Sequence, residues 1–360
     1  MIRFAITFLP LLMLMSSCAS DRSSKQSVEA MSHAVFTNPI RQGGSSPYVI
    51  NANGKYYYTQ STYVRVSLWS SETIGGLKEA KEHVVYNPDD TFYISGTRLY
   101  HLNGKWYIYY SSDDGDLSGR NVHVLENSSS DPLQGEFIHK GVIATGNQKS
   151  FHPSILEHKG KLYFLWSGYD ATDDLNIDIS HIYIAEMSDP WTLSSIPTPI
   201  CSPKYEWECQ WMSDNGLAAG RPSYVNEAPQ AIYSRDSTKV LLYFAASETY
   251  TSYYCEGLAI ADSDGDLTDP SSWVKLPKPV FGSDPKVSAY GAGHISFFID
   301  SLGNTYIIYQ AYSDPGLDCL DNRSPRMQKI SWDEDGIPVL GTPIDLGTPV
   351  PEPIINNNLL

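Results

Sequence analysis

The sequence predicts an all-β fold, a five-bladed β-propeller occupying residues 36–350 as one domain. Three observations carry that expectation. One hairpin pattern recurs five times: VINANGKYYYTQS from Val49, LYHLNGKWYIYYS from Leu99, ILEHKGKLYFLWS from Ile155, AIYSRDSTKVLLYFAAS from Ala231 and FFIDSLGNTYIIYQAY from Phe297. Copies of one small unit, each unable to bury its own faces alone, are the mark of a radial repeat. The composition agrees, with 12% aromatic residues and enough Gly and Pro to turn many short strands. Finally, no linker composition interrupts residues 36–345 and no long helical periodicity follows residue 30, so the repeats share one domain.

Taken in order, the chain opens with Arg3, an almost wholly apolar run from Phe4 to Met15, then Ser16-Ser17-Cys18. The run is too short to span a bilayer and reads as an export signal over residues 1–18. Small residues leading into Cys18 resemble a bacterial lipobox, so a lipid on Cys18 is the expected membrane attachment; a plain secretory signal is the alternative. Residues 19–35 are polar and Ser-rich, a flexible tether that would hold the protein at the bacterial cell envelope, periplasmic or on the surface. The hairpin turns fall at Gly54, Gly104, Gly160, near Ser237 and at Gly303. Cys201–Tyr224 reads as a loop insertion, Asp262–Asp284 as outer strands, and Asp314–Arg326 as a second long loop. Tyr56, Tyr57, Tyr58, Tyr107, Tyr109 and Tyr110 are expected to pack between blades.

A net charge of −16 argues against nucleic acid, whose phosphates need a basic face. Export permits disulfides, and Cys201, Cys209, Cys255 and Cys319 allow three pairings. Cys201 with Cys209 closes the shortest loop and leaves Cys255 with Cys319; buried free thiols are the alternative. The spacing is not that of a zinc site.

In a propeller the inner strand of each blade starts near the central axis, so the residues just before each repeat converge. They are Ser46 before Pro47, the Ser95-Gly96-Thr97-Arg98 stretch, His152 before Pro153, Glu227 two residues before Pro229, and His294. A polar residue closely followed by Pro recurs in three of these segments, which favours one shared site over ordinary strand starts.

The repeats and their flanks resemble glycoside hydrolase family 43. The resemblance rests on NPI at Asn38, NGKWYIYYS at Asn103, ILEHKGKLYFLWSG at Ile155, IYIAEMSDPWTL at Ile182, VNEAPQ at Val225, YGAGH at Tyr290 and RMQKISWDEDGIP at Arg326. In order and spacing these are most similar to the branch containing exo-acting α-L-arabinofuranosidases. The resemblance implies a five-bladed propeller, a carbohydrate substrate and an inverting mechanism. In that mechanism one carboxylate activates water, a carboxylic acid protonates the leaving oxygen, and a third carboxylate tunes the acid. It makes Glu227, in VNEAP, the general acid. His294 matches the axial histidine near which an inorganic cation, calcium or sodium, is expected, with no organic cofactor. Arg326 matches an arginine that contacts substrate, and Trp166, Tyr169 and Tyr290, near strand ends, are candidates to line the sugar site.

The other two carboxylates are replaced. Ser46 stands where the family's base Asp is expected and His152 where its pKa-tuning Asp is expected, while Arg98 stands where a Glu is usual. A Ser hydroxyl holds its proton too tightly to act as the base, whereas His152 titrates near neutrality. Arg98, a candidate substrate-binding residue, would push His152 toward its neutral form and Glu227 toward ionisation. Three functions follow. The first is hydrolysis of furanosyl-containing glycans, with Glu227 as acid and a loop carboxylate (Asp113, Asp114, Asp170, Asp173 or Asp174) as base. The second is a glycan-binding lipoprotein without catalysis, and the third is His152-based chemistry on an anionic sugar neutralised by Arg98.

Overall fold

The computed structural model describes residues 34–88, 92–113, 119–169, 177–212, 216, 218, 222–315 and 322–355. The expected export signal, Cys18 and most of the expected tether lie outside the described residues. The rest is a five-bladed β-propeller whose inner strands are Tyr48–Ala52, Phe92–Leu102, Lys149–His158, Ser223–Tyr233 and Tyr290–Ile299. Each inner strand touches the next, and the fifth touches the first, closing the ring. Every blade then steps outward through antiparallel neighbours; in blade 2 these are Lys105–Asp113, Arg120–Asn127 and Ile138–Val142. The ring is latched where residues before blade 1 dock on the third strand of blade 5, Arg323–Lys329. There the Asn38 side chain exchanges two hydrogen bonds with the Met327 backbone, and Ile40 N–H donates to Pro325 C=O.

The repeated turns do the work their sequences suggest. Asn53-Gly54, Asn103-Gly104 and Lys159-Gly160 all have positive φ at both positions, as a two-residue type I′ hairpin requires. Strand alternation explains the density of aromatics, because both faces of each blade are buried. Tyr56 and Tyr58 pack toward blade 5 with Phe298, Tyr306 and Ile308, whereas Tyr57 packs toward blade 2 with Trp106 and Ile108. The five interfaces each have an apolar cluster of their own. Trp166 belongs to the one between blades 2 and 3, fully buried and stacked on Phe164 and Tyr183.

Near the axis the inner strands bulge. Tyr93 and Gly291 have positive φ at the starts of their strands, and each blade has one further such residue beside the shaft: Ser46, Gly96, His152, Ala228 and His294. For the four that are not Gly this costs on the order of 1–3 kcal/mol each, and hydrogen bonds between blades offset it. Gly96, His152 and Ala228 N–H donate to Ser61, Ser111 and Ser167 Oγ of the preceding blade, and Ser46 N–H donates to Gln310 Oε1 of blade 5. Between blades 4 and 5 the link is Ile295 N–H to Glu256 Oε1 at 2.8 Å.

Two sequence expectations are corrected here. Cys201, Cys209 and Cys255 are free thiols, with Sγ of Cys201 and Cys209 donating to Asn226 Oδ1 and Tyr205 C=O. The expected Cys201–Cys209 bridge is absent because each side chain points into its own polar contact; Cys319 lies outside the described residues. The segment read as a loop through Arg326 ends earlier, since a strand begins at Arg323 and pairs with Thr305–Tyr312.

Candidate active site

The bulged segments meet at the mouth of the shaft around a cavity of about 320 Å³. Of the axial residues read from the sequence, Ser46, Ser95, His152, Glu227 and His294 line it. Glu227 is the acid at its wall. Its side chain is 13% exposed, its Oε1 accepts from Tyr254 Oη at 2.7 Å, and its Oε2 lies 3.7 Å from His152 Nδ1. Burial pushes the carboxyl up to about 7; the Tyr254 hydrogen bond opposes this, Glu248 adds to it, and Arg323 and Arg120 oppose it. The expectation that Glu227 would be driven toward ionisation is therefore reversed, because desolvation outweighs the nearby cations.

His152 and His294 meet edge to face with ring centroids 4.7 Å apart. Burial holds both well below the usual histidine range, and the nearby arginines push the same way, so both are neutral at pH 7. Ser46 accepts from Ser61 Oγ at 3.1 Å and carries no charge to the site. Glu248, on the loop after the second strand of blade 4, lines the same cavity. Over the mouth, Tyr93 of blade 2 reaches Tyr250 beside blade 4, with phenol oxygens 3.3 Å apart. Those blades are not neighbours, and because both residues line the cavity the pair narrows its opening.

Four expected substrate-binding residues do not line the cavity. Arg98 is buried, donates to Pro229 C=O at 2.8 Å and lies over the Tyr48 ring, tying blade 2 to blade 4. Arg326 is fully buried and spends its Nη2 on Ser288 and Tyr312 carbonyls and Ser313 Oγ. Trp166 is core, as described above, and Tyr290 pairs with Tyr312 at the start of its strand without facing the cavity. Of the loop carboxylates proposed as base, Asp113 is clamped by Arg120 and does not line the cavity; Asp114, Asp170, Asp173 and Asp174 lie outside the described residues.

Sequence reasoning missed Arg120, Arg323, Glu248, Tyr93 and Tyr254. A signal existed for the arginines. In each blade the mouth is where first strands begin, second strands end and third strands begin, and Arg120 and Arg323 each open a third strand. Arg326 sits three positions deeper, about 10 Å along a strand.

Donor atoms of His152, Glu227 and His294 lie within 4.8 Å of one another. Calcium takes roughly six to eight oxygen ligands, whereas two imidazoles and one carboxylate are a donor set for a borderline transition ion. Among the described residues this donor group brings one carboxylate, not the oxygen shell expected of a calcium or sodium site.

The fold and this wall of residues define a propeller with an acid-bearing axial cavity. Residues 36–338 match the family model for glycosyl hydrolases family 43, and the chain belongs to that family. The extracellular exo-alpha-(1->5)-L-arabinofuranosidase of Streptomyces avermitilis is 31% identical over 330 residues, covering 88% of this chain and 65% of that protein. The protein of the same name from Streptomyces chartreusis is 31% identical over 288 residues, covering 77% of this chain and 83% of that one. The crystal structure of alpha-L-arabinofuranosidase from Lactobacillus brevis aligns with a TM-score of 0.79 at 27% identity, over 87% of this chain and 98% of that one.

Proposed function

We propose that this protein is an exo-acting glycosidase that hydrolyses terminal α-L-arabinofuranosyl or related furanosyl bonds. The observation that carries this reading is Glu227: a carboxyl that faces the cavity and is raised to about 7, so that it holds a proton for the leaving oxygen near neutrality. Glu248 is the second carboxylate lining the cavity among the described residues, and it takes the role of base toward the attacking water. Ser46 cannot do so, and His152, held neutral by burial, is a weakened base whose place beside Oε2 is to orient the acid. Inversion follows if water enters between two such carboxyls. The Tyr93–Tyr250 pair over the mouth supports attack at chain ends, since a narrowed opening admits one terminal sugar more readily than a continuous chain. Export and anchoring at Cys18 complete the proposal and rest on the leader sequence alone.

The test is turnover of an aryl α-L-arabinofuranoside and of short arabinan oligosaccharides by wild type and by Glu227→Gln and Glu248→Gln. Loss in both variants, with inverted product anomer, supports the assignment. Saturable binding without turnover in wild type would replace hydrolysis by glycan recognition, and a retained anomer would remove Glu248 from the role of base.

A further inference from the structure

The cavity holds two arginines in similar frames that differ in one respect. Arg120 and Arg323 both enter at the mouth from the start of a third strand, and both lie over tyrosine rings, Arg120 4.9 Å from Tyr93 and Arg323 5.8 Å from Tyr250. Arg120 directs its Nε and Nη2 edge at the Asp113 carboxylate, at 2.6 and 3.2 Å. Arg323 directs Nη1 to Thr249 Oγ1 at 3.0 Å, while its Nε is buried without a partner. Among the described residues no carboxylate pairs with Arg323, although it is only 5% exposed. A buried charge without a paired counter-charge is costly to keep, and a carboxylate is the acceptor that a guanidinium with an unpartnered Nε fits best.

The surrounding charges point the same way. Lys149 is a further cation on the wall, its Nζ 5.6 Å from the centre of the Tyr169 ring. Against these stand Glu248 and a Glu227 that burial keeps largely protonated below about 7, while the two histidines are neutral. Beyond the Arg120–Asp113 pair the wall therefore carries two cations, Arg323 and Lys149, in a chain of net charge −16. Arg98 adds its charge from behind the wall, acting on His152 and His294 without lining the cavity.

We propose that the glycan recognised here carries a carboxylate, a uronate at or next to its chain end, bound side-on by the Nε–Nη2 edge of Arg323 with Lys149 as the second cation. The proposal deepens, and rests on, the reading of this cavity as a glycan site. A sulfate ester shares the negative charge, but a planar two-oxygen acceptor matches what Asp113 offers Arg120.

The experiment is calorimetric titration of the wild-type protein with methyl galacturonate and glucuronate glycosides, the matching neutral galactosides and glucosides, and galactose 6-sulfate. The expected result is binding of a uronate at least about tenfold tighter than its neutral counterpart, a gap that narrows as salt is raised. Arg323→Gln is expected to close the gap to within about twofold, with Arg323→Lys and Lys149→Met intermediate. Equal binding of acid and neutral sugars overturns the proposal, as does a preference for sulfate or a preference that survives in folded Arg323→Gln. If that variant does not fold, the wild-type ratio, its salt dependence and Lys149→Met decide. Turnover of a neutral arabinofuranoside without uronate preference defeats this inference and leaves the hydrolase reading standing. Uronate preference without turnover does the reverse.

Discussion

Blade 4 carries two glutamates in one cross-strand row, Glu227 and Glu256, with Ala245 between them. Burial is the leading cause of a raised carboxyl in both, to about 7 and about 8 respectively. They differ in what they face. Glu227 lines the cavity beside His152 and Tyr254. Glu256 is completely buried and accepts the Ile295 N–H that ties blade 4 to blade 5. A raised pKa therefore reports burial in both and identifies an acid catalyst in neither; the open face toward the ligand distinguishes them. On the proposed reading, the proton on Glu256 belongs to the scaffold and the proton on Glu227 is the one transferred.

Substitution by the amide separates the two roles most sharply. Glu227→Gln keeps shape and removes the proton donor, and kcat is expected to fall about 10²- to 10⁴-fold. Glu256→Gln replaces a neutral acid by a neutral amide that still accepts from Ile295, and kcat is expected within about threefold of wild type. Equal losses in steady-state assays of the two variants would erase the distinction. Glu256→Ala is the complementary change: it leaves a buried backbone N–H without a partner and is expected to cost about 1–3 kcal/mol in denaturant unfolding, with the open cavity adding to that.

The same pair sets the pH response. Both carboxyls have folded pKa values above their unfolded ones, so the folded chain binds more protons than the unfolded chain. Their contribution to stability is complete below about pH 4.5, the ordinary carboxyl range, and is lost as pH rises through about 7 for Glu227 and about 8 for Glu256. The thermal midpoint is expected to decline across that window, and the decline should flatten in Glu256→Gln. Activity should fall above about pH 7, as Glu227 loses the proton it must donate. Tyr254→Phe removes a hydrogen bond that favours the carboxylate, so the alkaline limb of kcat should move upward; a downward move would contradict the assigned direction.

The five hairpins were legible because turn chemistry and strand alternation are local. Asn-Gly at 53–54 and 103–104 needs no tertiary context, and polar residues at the strand starts located Ser46, His152, Glu227 and His294 around one shaft. What the sequence hid depends on direction within a bulge and on depth along a strand. Arg98 follows Gly96 and Thr97 in a bulged segment, and two register shifts turn it away from the cavity. Arg323 and Arg326 lie on one strand, and only the pairing with Tyr312 and Tyr309 shows which of them reaches the mouth. The charge state of Glu227 was misjudged for a related reason: counting neighbouring cations is possible in one dimension, whereas burial is not.

The smallest effect tests the ties that hold the two glutamates' surroundings in place. Ser61, Ser111 and Ser167 close or nearly close their hairpin repeats, and each accepts an N–H from the next blade. The repeats displayed these serines, but their role follows only from the positive φ of the segments they hold. Ser167→Ala and Ser111→Ala each leave one N–H unpaired, at Ala228 and at His152, and each is expected to lower stability by about 1–3 kcal/mol. Their effects on turnover should differ. Ala228 directly follows the acid, so Ser167→Ala lets Glu227 drift from its Tyr254 contact, and kcat should drop severalfold more than in Ser111→Ala, which loosens His152. If kcat in both variants tracks only the fraction folded, these ties serve the fold alone, and the aim of Glu227 is set by Tyr254.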